Sequence, residues 1–161
     1  MLIRTAKMSD LDAIASVEAE CFPAAEAATK EEFEERLSHY ADHFLLMIDG
    51  DKLVAFIDGF VTDERDLTDE MYERADLHNE DGDWQMIFGV NTIPAYRNRG
   101  LAGELIKKLI EDAREQGRKG VVLTCKDALT VYYSKFGFEN EGISEKSNHG
   151  GVVWNQMRLT F

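Results

Sequence analysis

Residues 84–124 read WQMIFGVNTIPAYRNRGLAGELIKKLIEDAREQGRKGVVLT, and the fold class follows from how this stretch divides. Trp84 to Thr92 is an apolar run of strand character, and Pro94 to Arg99 is a turn. From Gly100 to Gln116, Leu101, Leu105 and Leu109 together with Ala102, Ile106, Ile110 and Ala113 recur at helical spacing and form one broad apolar face. Gly117 suits the position just past the end of that helix. Gly120 to Thr124 is a short apolar run of the kind buried on both faces of a sheet, so strand, helix and strand make a right-handed βαβ unit. Where the first strand yields to the helix stand Arg97, Asn98, Arg99, Gly100, Leu101, Ala102 and Gly103. Successive backbone N–H groups point outward at such a helix start and the dipole favours negative charge, so this loop reads as a phosphate cradle. It is not the Walker loop, because no Gly-Lys-Ser/Thr follows, and its glycine spacing is not the dinucleotide fingerprint.

Outward from this unit, the chain reads as one ordered succession without repeats or linker-like tracts, a single domain over residues 1–161. Met1 to Thr5 predicts a strand. Ser9 reads as the N-cap of a helix carrying Leu11, Ile14, Val17 and Cys21, which ends near Phe22-Pro23. Thr29 and Glu32 have capping-box spacing ahead of a second helix with Phe33 and Leu37. His43 to Ile48 and Leu53 to Val61 flank Asp49-Gly50-Asp51 as an antiparallel hairpin. A long acidic excursion, Thr62 to Asp83, contains a helix over Thr68 to Ala75. After the βαβ unit, Ala128 to Phe136 is a short helix stopped by Gly137. Phe138 to Gly142 and Gly151 to Leu159 close the chain as a strand pair, joined by a turn at Ser147 to Gly151. The expected architecture is mixed α/β: a central, mostly antiparallel sheet of six to seven strands flanked by four helices.

The composition excludes several classes. With 44% hydrophobic residues the chain is too apolar for disorder, and no apolar run approaches the roughly 20 residues that span a bilayer. The N-terminus turns polar and acidic before a signal-peptide core forms, which predicts a soluble, cytoplasmic protein. Cys21 and Cys125 have no ligand-spaced neighbours, so neither a disulfide framework nor a metal site is expected. A net charge of −13 argues against nucleic acid and anionic membranes as partners. Residues 1–80 carry 7 basic and 21 acidic side chains, whereas residues 81–161 carry 11 and 10. An anionic ligand is therefore expected at the second half.

The cradle Arg97 to Gly103 resembles the R/Q-x-x-G-x-G/A signature of the GCN5-related N-acetyltransferases (GNAT), with the strand before it and the apolar helix after it as that family has them. Ala128 to Phe138 resembles the same family's A-x-x-x-Y-x-K-x-G-F segment, and Cys125 to Phe138 is similar to the arylalkylamine (serotonin) branch. This resemblance implies acetyl-CoA as cosubstrate and direct acetyl transfer to a primary amine in a ternary complex. It implies that Val90, Asn91 and Thr92 hold the pantetheine arm, with a bulge near Phe88-Gly89-Val90 offering an N–H to the thioester carbonyl. Asn98 to Gly103 would take the pyrophosphate, with Arg97, Arg99 and Lys107 adding charge. Tyr133 matches the tyrosine that gives its proton to the departing sulfur, a phenol that stays protonated at neutral pH.

The two histidines that carry the amine's proton away in the arylalkylamine enzymes fall here on Met86 and Phe88. Water, Glu26 and His149 are the alternatives for that proton. Glu20, Glu26, Asp63 and Glu64 are expected to border the acceptor side and to attract a cationic amine, either a small molecule or a peptide. A protein Lys or N-terminal acetyltransferase and a non-catalytic acyl-CoA sensor are the competing functions, and monomer and homodimer are both compatible with the sequence.

Overall fold

A computed structural model describes residues 1–161. Nine strands and five helices follow one another as β1 (Leu2–Thr5), α1 (Leu11–Cys21), α2 (Lys30–Tyr40), β2 (Phe44–Asp49), β3 (Lys52–Asp58), β4 (Val61–Thr62), α3 (Asp69–Glu73), β5 (Trp84–Ile87), β6 (Gly89–Thr92), α4 (Leu101–Glu115), β7 (Gly120–Cys125), α5 (Thr130–Ser134), β8 (Glu139–Ile143) and β9 (Asn155–Thr160). The mixed α/β class is as expected, but the strands form two sheets rather than one. One sheet has the order β1-β2-β3-β6 and the other β4-β5-β7-β9-β8. All pairings are antiparallel except β5 with β7, the two strands of the βαβ unit. No helix is long and apolar enough to cross a membrane.

The division has a local cause. The expected strands Leu53–Val61 and Trp84–Thr92 are each interrupted, at Gly59-Phe60 and at Phe88. Asp58 lies opposite Gly89 and Val61 opposite Gln85, so three steps along one strand face four along the other. One extra residue stands in the second strand, which defines a β-bulge at Phe88. Asp58 C=O accepts the Phe88 N–H at 2.7 Å. Beyond the bulge, β6 stays with β3 while β5 stays with β7, and a cleft opens between β6 and β7.

The core joins both sheets. Phe33 on α2 meets Phe44 and Phe56 edge-on at 6.2 and 5.9 Å, and all three are fully buried. α4 buries Leu101, Leu105, Ile106, Leu109 and Ala113 as its periodicity predicts. Burial of each such side chain stabilises by about 1.5–3 kcal/mol.

Two helix and strand starts differ from expectation. Met8–Asp10 forms a 3₁₀ turn ahead of α1, and it is Asp10, not Ser9, that accepts the Lys7 N–H, at 2.8 Å. Arg4 on β1 donates two bonds of 2.8 Å to the same carboxylate, an ionic anchor that an exposed serine cannot match. The last strand begins at Asn155 rather than Gly151, because Gly150 and Gly151 take positive φ and His149 C=O receives the Trp154 indole N–H at 2.8 Å. Thr29 and Glu32 form the expected capping box, with bonds of 3.1 and 3.0 Å.

Candidate active site

β6 is the last strand of its sheet, so one of its edges has no strand partner. Ile93 N–H donates to Val54 C=O, and Phe56 lies opposite Asn91. Directly bonded pairs alternate along an antiparallel ladder, so the N–H and C=O groups of Val90 and Thr92 point away from β3, towards the open edge. Thr92 C=O is already occupied by Cys21 Sγ at 3.3 Å and Arg97 Nε at 2.9 Å. Val90, which lines the cleft, is left with its backbone groups free for an extended ligand. The Asn91 side chain points elsewhere: it is fully buried and neither its Oδ1 nor its Nδ2 has a partner.

The cradle follows directly. Asn98 and Gly100 adopt φ of 63° and 76°, and the N–H groups from Asn98 to Gly103 donate to no protein acceptor. They crown a helix of 15 residues, whose dipole adds positive potential. A side chain at Gly100 would meet no atom within 4 Å, so glycine is needed there for its left-handed backbone and not for room within the protein. Arg97 is tied to Thr92, and Arg99 donates to Ala95 C=O at 3.1 Å while lying 4.6 Å over the Tyr96 ring. Both arginines thus brace the loop. Beside α4, Lys107, Arg114 and Lys135 surround Phe136 in a shallow hollow.

A cavity of about 270 Å³ occupies the mouth between β6 and β7. Val90, Tyr133, Glu26 and His149 all line it, so the structure brings four sequence-named residues together. Glu20, Asp63 and Glu64 do not line it; Asp63 instead accepts from Asn79 and from the Asp83 N–H. Tyr133 is buried, no protein group bonds its hydroxyl, and burial pushes its pKa well above the usual phenol range. Tyr132 is half-buried against Phe136 at 5.3 Å, outside the cavity lining. Glu26 is paired with Lys126 at 2.7 Å, and its carbonyl accepts from His149 Nε2 at 2.7 Å. His149 stacks on Tyr72 at 4.8 Å. Cys125 lies 3.5 Å from Met157 Sδ with its thiol pushed up to about 11 by burial, which leaves it a poor nucleophile at neutral pH.

Sequence reasoning missed the carboxylate on the cavity wall. Glu18 is 6% exposed; its Oε2 accepts the Ala28 N–H at 2.9 Å, and its Oε1 has no partner. A methyl group built on Gly89 would lie 3.7 Å from Glu18 Oε1, 3.3 Å from Asp58 Oδ1 and 3.2 Å from Asn91 Nδ2, so these groups converge beside the bulge. Asp58 is fully buried and paired with Arg36 at 2.9 Å. Arg36 also donates to Tyr72 C=O at 3.0 Å and lies between the rings of Phe33 and Phe88. Burial first, and the neighbouring Asp58 second, raise the Glu18 pKa to about 7. The available signal was spacing: Glu18 stands four residues after Ile14 and three before Cys21, on the apolar row of α1.

Away from the cavity, the fold gathers His43, His78 and Glu80. Val61 N–H donates to His78 Nδ1 at 3.0 Å, which places the ring proton on Nε2 facing Glu80 at 3.0 Å. Arg118 holds the other oxygen of Glu80 at 3.0 Å, so the cluster is a hydrogen-bonded ion network.

Comparison with known proteins identifies the family and the fold. The sequence profile of the acetyltransferase (GNAT) family matches residues 11–138. Over 49 residues, 30% of this chain and 30% of the relative, the sequence is 41% identical to the probable glucosamine 6-phosphate N-acetyltransferase 2 of Oryza sativa subsp. japonica. The match thus spans under a third of that relative. The loading GNATL domain of CurA from Lyngbya majuscula has a similar fold, with a TM-score of 0.85 at 17% identity over 99% of this chain and 96% of that one. So does the PaiA N-acetyltransferase of Thermoplasma acidophilum in complex with coenzyme A, with a TM-score of 0.72 at 14% identity over 99% and 98%.

Proposed function

The chain belongs to the acetyltransferase (GNAT) family, and from that premise we propose that it transfers the acetyl group of acetyl-CoA to a primary amine by direct attack in a ternary complex. One observation supports the reading: the free edge of β6 at Val90 and Tyr133 line one cavity, and the strand that carries this edge leads into the free N–H groups of the cradle. These residues fit acetyl-CoA, because a diphosphate needs N–H donors at a helix start and an extended amide-bearing arm needs an unpaired strand edge. When bound, acetyl-CoA supplies an acetyl group activated as a thioester. The N–H groups of Asn98 to Gly103 hold the diphosphate, and Lys107 and Lys135 beside Phe136 suit the nucleotide end.

Val90 N–H polarises the acetyl carbonyl, stabilising the negative charge that develops on its oxygen. Tyr133 Oη gives its proton to the leaving sulfur. Burial keeps the phenol protonated until the sulfur departs. The stretch Cys125 to Phe138, similar to the arylalkylamine branch, surrounds Tyr133, which supports a small amine as acceptor. Met86 and Phe88 provide no histidine relay, so the amine's proton passes to water or to a group of the cavity.

Measuring thiol release from acetyl-CoA over a panel of amines tests the reading. A non-catalytic acyl-CoA sensor would be stabilised by acetyl-CoA yet release no thiol with any amine. A protein acetyltransferase would act on peptides and leave small amines untouched.

A further inference from the structure

Resting on the acetyl-transfer reading, we propose that the acceptor is a compact primary amine with an apolar body and no anionic group, and that Glu18 both receives its ammonium and takes its proton. The cavity decides this by what it leaves unpaired. Its two cations each face a carboxylate: Arg36 pairs with Asp58 and also donates to Tyr72 C=O, with only its Nε left without a partner, and Lys126 pairs with Glu26. A phosphate or carboxylate entering this space would find no free counter-charge, and burying an unpaired anion is costly. Of the two buried carboxylates in the lining, Glu26 has the Lys126 ammonium at 2.7 Å although its Oε1 accepts no hydrogen bond, whereas Glu18 has no ion pair and its Oε1 has no partner. An ammonium is the complementary ligand.

The rest of the lining is apolar or aromatic: Phe22, Pro23, Phe88 and Trp154 among others. At about 270 Å³ the space is below the roughly 300–1,000 Å³ of a drug-sized pocket, so the body must be compact. The phosphorylated amino sugar named for the curated relatives carries an anionic group on a polar body and does not match this lining.

The proton balance is as follows. The ammonium gives one proton to Glu18 Oε1, which frees the nitrogen lone pair to form the C–N bond. The C–S bond breaks, and its electron pair takes the proton of Tyr133 Oη. The second nitrogen proton restores Tyr133, and Glu18 returns its own to solvent, so one net proton is released per acetyl transferred. The groups facing Glu18 set when it can act: Asp58 on β3 opposes its ionisation, the Ala28 N–H, Arg36 on α2 and Asn91 on β6 favour it, and Cys21 stands beside it on its own helix. With its pKa at about 7, Glu18 is substantially ionised at neutral pH and still basic enough to accept a proton.

The test is kcat/KM against pH, at saturating acetyl-CoA, for butylamine, benzylamine, glucosamine 6-phosphate and a lysine peptide. For the two monoamines the parent enzyme should give a bell: a rising limb near 7 from Glu18, and a falling limb where the ammonium is lost. Both should exceed glucosamine 6-phosphate by at least about 100-fold, since a misplaced charge costs several kcal/mol. Glu18→Gln should lower kcat/KM at pH 7 by about 10²–10⁴-fold. It should also turn the bell into a rise that continues to the amine's own pKa, while acetyl-CoA still raises its Tm as in the parent. Should that variant fail to fold, Glu18→Asp keeps the charge and must keep the bell at reduced kcat. An unchanged profile in Glu18→Gln, or a parent rate that climbs without a falling limb, overturns the role of Glu18. Preference for the phosphorylated sugar or the peptide overturns the substrate class. In both cases acetyl transfer itself would stand, whereas absence of thiol release with every amine would refute that reading and this inference with it.

Discussion

Tyr133 and Glu18 line one cavity, and burial drives both pKa values upward, to opposite effect. A phenol so shifted stays an acid throughout the working range, while the carboxyl is brought to where it can act as a base. Tyr133→Phe removes one proton and almost no volume. It should lower kcat by about 10²–10⁴-fold and leave the acetyl-CoA dissociation constant unchanged, whereas Tyr132→Phe should be mild; steady-state kinetics with calorimetric binding separates the two.

Glu18 also has a stability signature. Its folded pKa of about 7 lies above the unfolded value, so its favourable contribution is present in full below about pH 4.5 and is lost as pH rises through 7. The loss amounts to about 3 kcal/mol, at about 1.4 kcal/mol per unit. Denaturant titrations of the parent and Glu18→Gln should therefore differ in slope between pH 4.5 and 7, the parent losing stability relative to the variant. Glu26, which the sequence offered as a candidate base, has Lys126 at 2.7 Å as an ion-pair partner. The sequence shows how many carboxylates the loop and α1 carry, but it does not show which of them lacks a partner. Glu18 was hidden because an acid on an apolar row is usually read as an interruption of that row.

At the level of elements, the bulge at Phe88 and the start of α4 share the work. The cradle was legible because its requirement is local: Gly100 must be left-handed, and Asn98 tolerates the same region. Gly100→Glu strains that backbone and sets a negative charge against the helix N-terminus, so the rise in Tm that acetyl-CoA produces should largely vanish. Gly117→Ala, at φ 80° beyond the other end of the same helix, should destabilise the fold by about 1 kcal/mol yet preserve that rise. Equal losses in both variants would show a fold effect and not a binding one.

The split of the sheet was not legible in the same way. Trp84 to Thr92 is continuous in hydrophobicity, and one extra residue shows only when Asp58–Gly89 and Val61–Gln85 are matched across the ladder. Likewise the pairing of α2 with β3 through Arg36 and Asp58 joins residues 22 positions apart with no shared pattern. Arg36→Met would leave Asp58 buried without its counter-charge and should destabilise by about 3–5 kcal/mol in thermal or denaturant unfolding.

Across the whole molecule, the charge asymmetry acquires a structural meaning. The near-balanced second half builds the cradle and the Lys107–Lys135 hollow, while the acidic first half supplies Glu18 and Glu26 to the cavity wall. Most of the other acids lie on exposed surface and set only a general field, which ions screen over about 8 Å at physiological ionic strength. KM for a cationic amine should therefore rise with salt by a small factor. Glu18→Gln should change it more than Glu26→Gln does, since one carboxylate is unpaired and the other is not.

The central claim is that one cleft, opened where β6 leaves β7, binds acetyl-CoA and passes its acetyl group to an amine seated against Glu18. Its most direct test is to incubate the parent protein with acetyl-CoA and butylamine at pH 8 and to quantify free thiol and N-acetylbutylamine in the same samples. The two should appear in equal amounts and disappear together in Tyr133→Phe. Thiol that accumulates without acetylated amine, or acetyl-CoA that raises Tm while neither product forms, would contradict the claim.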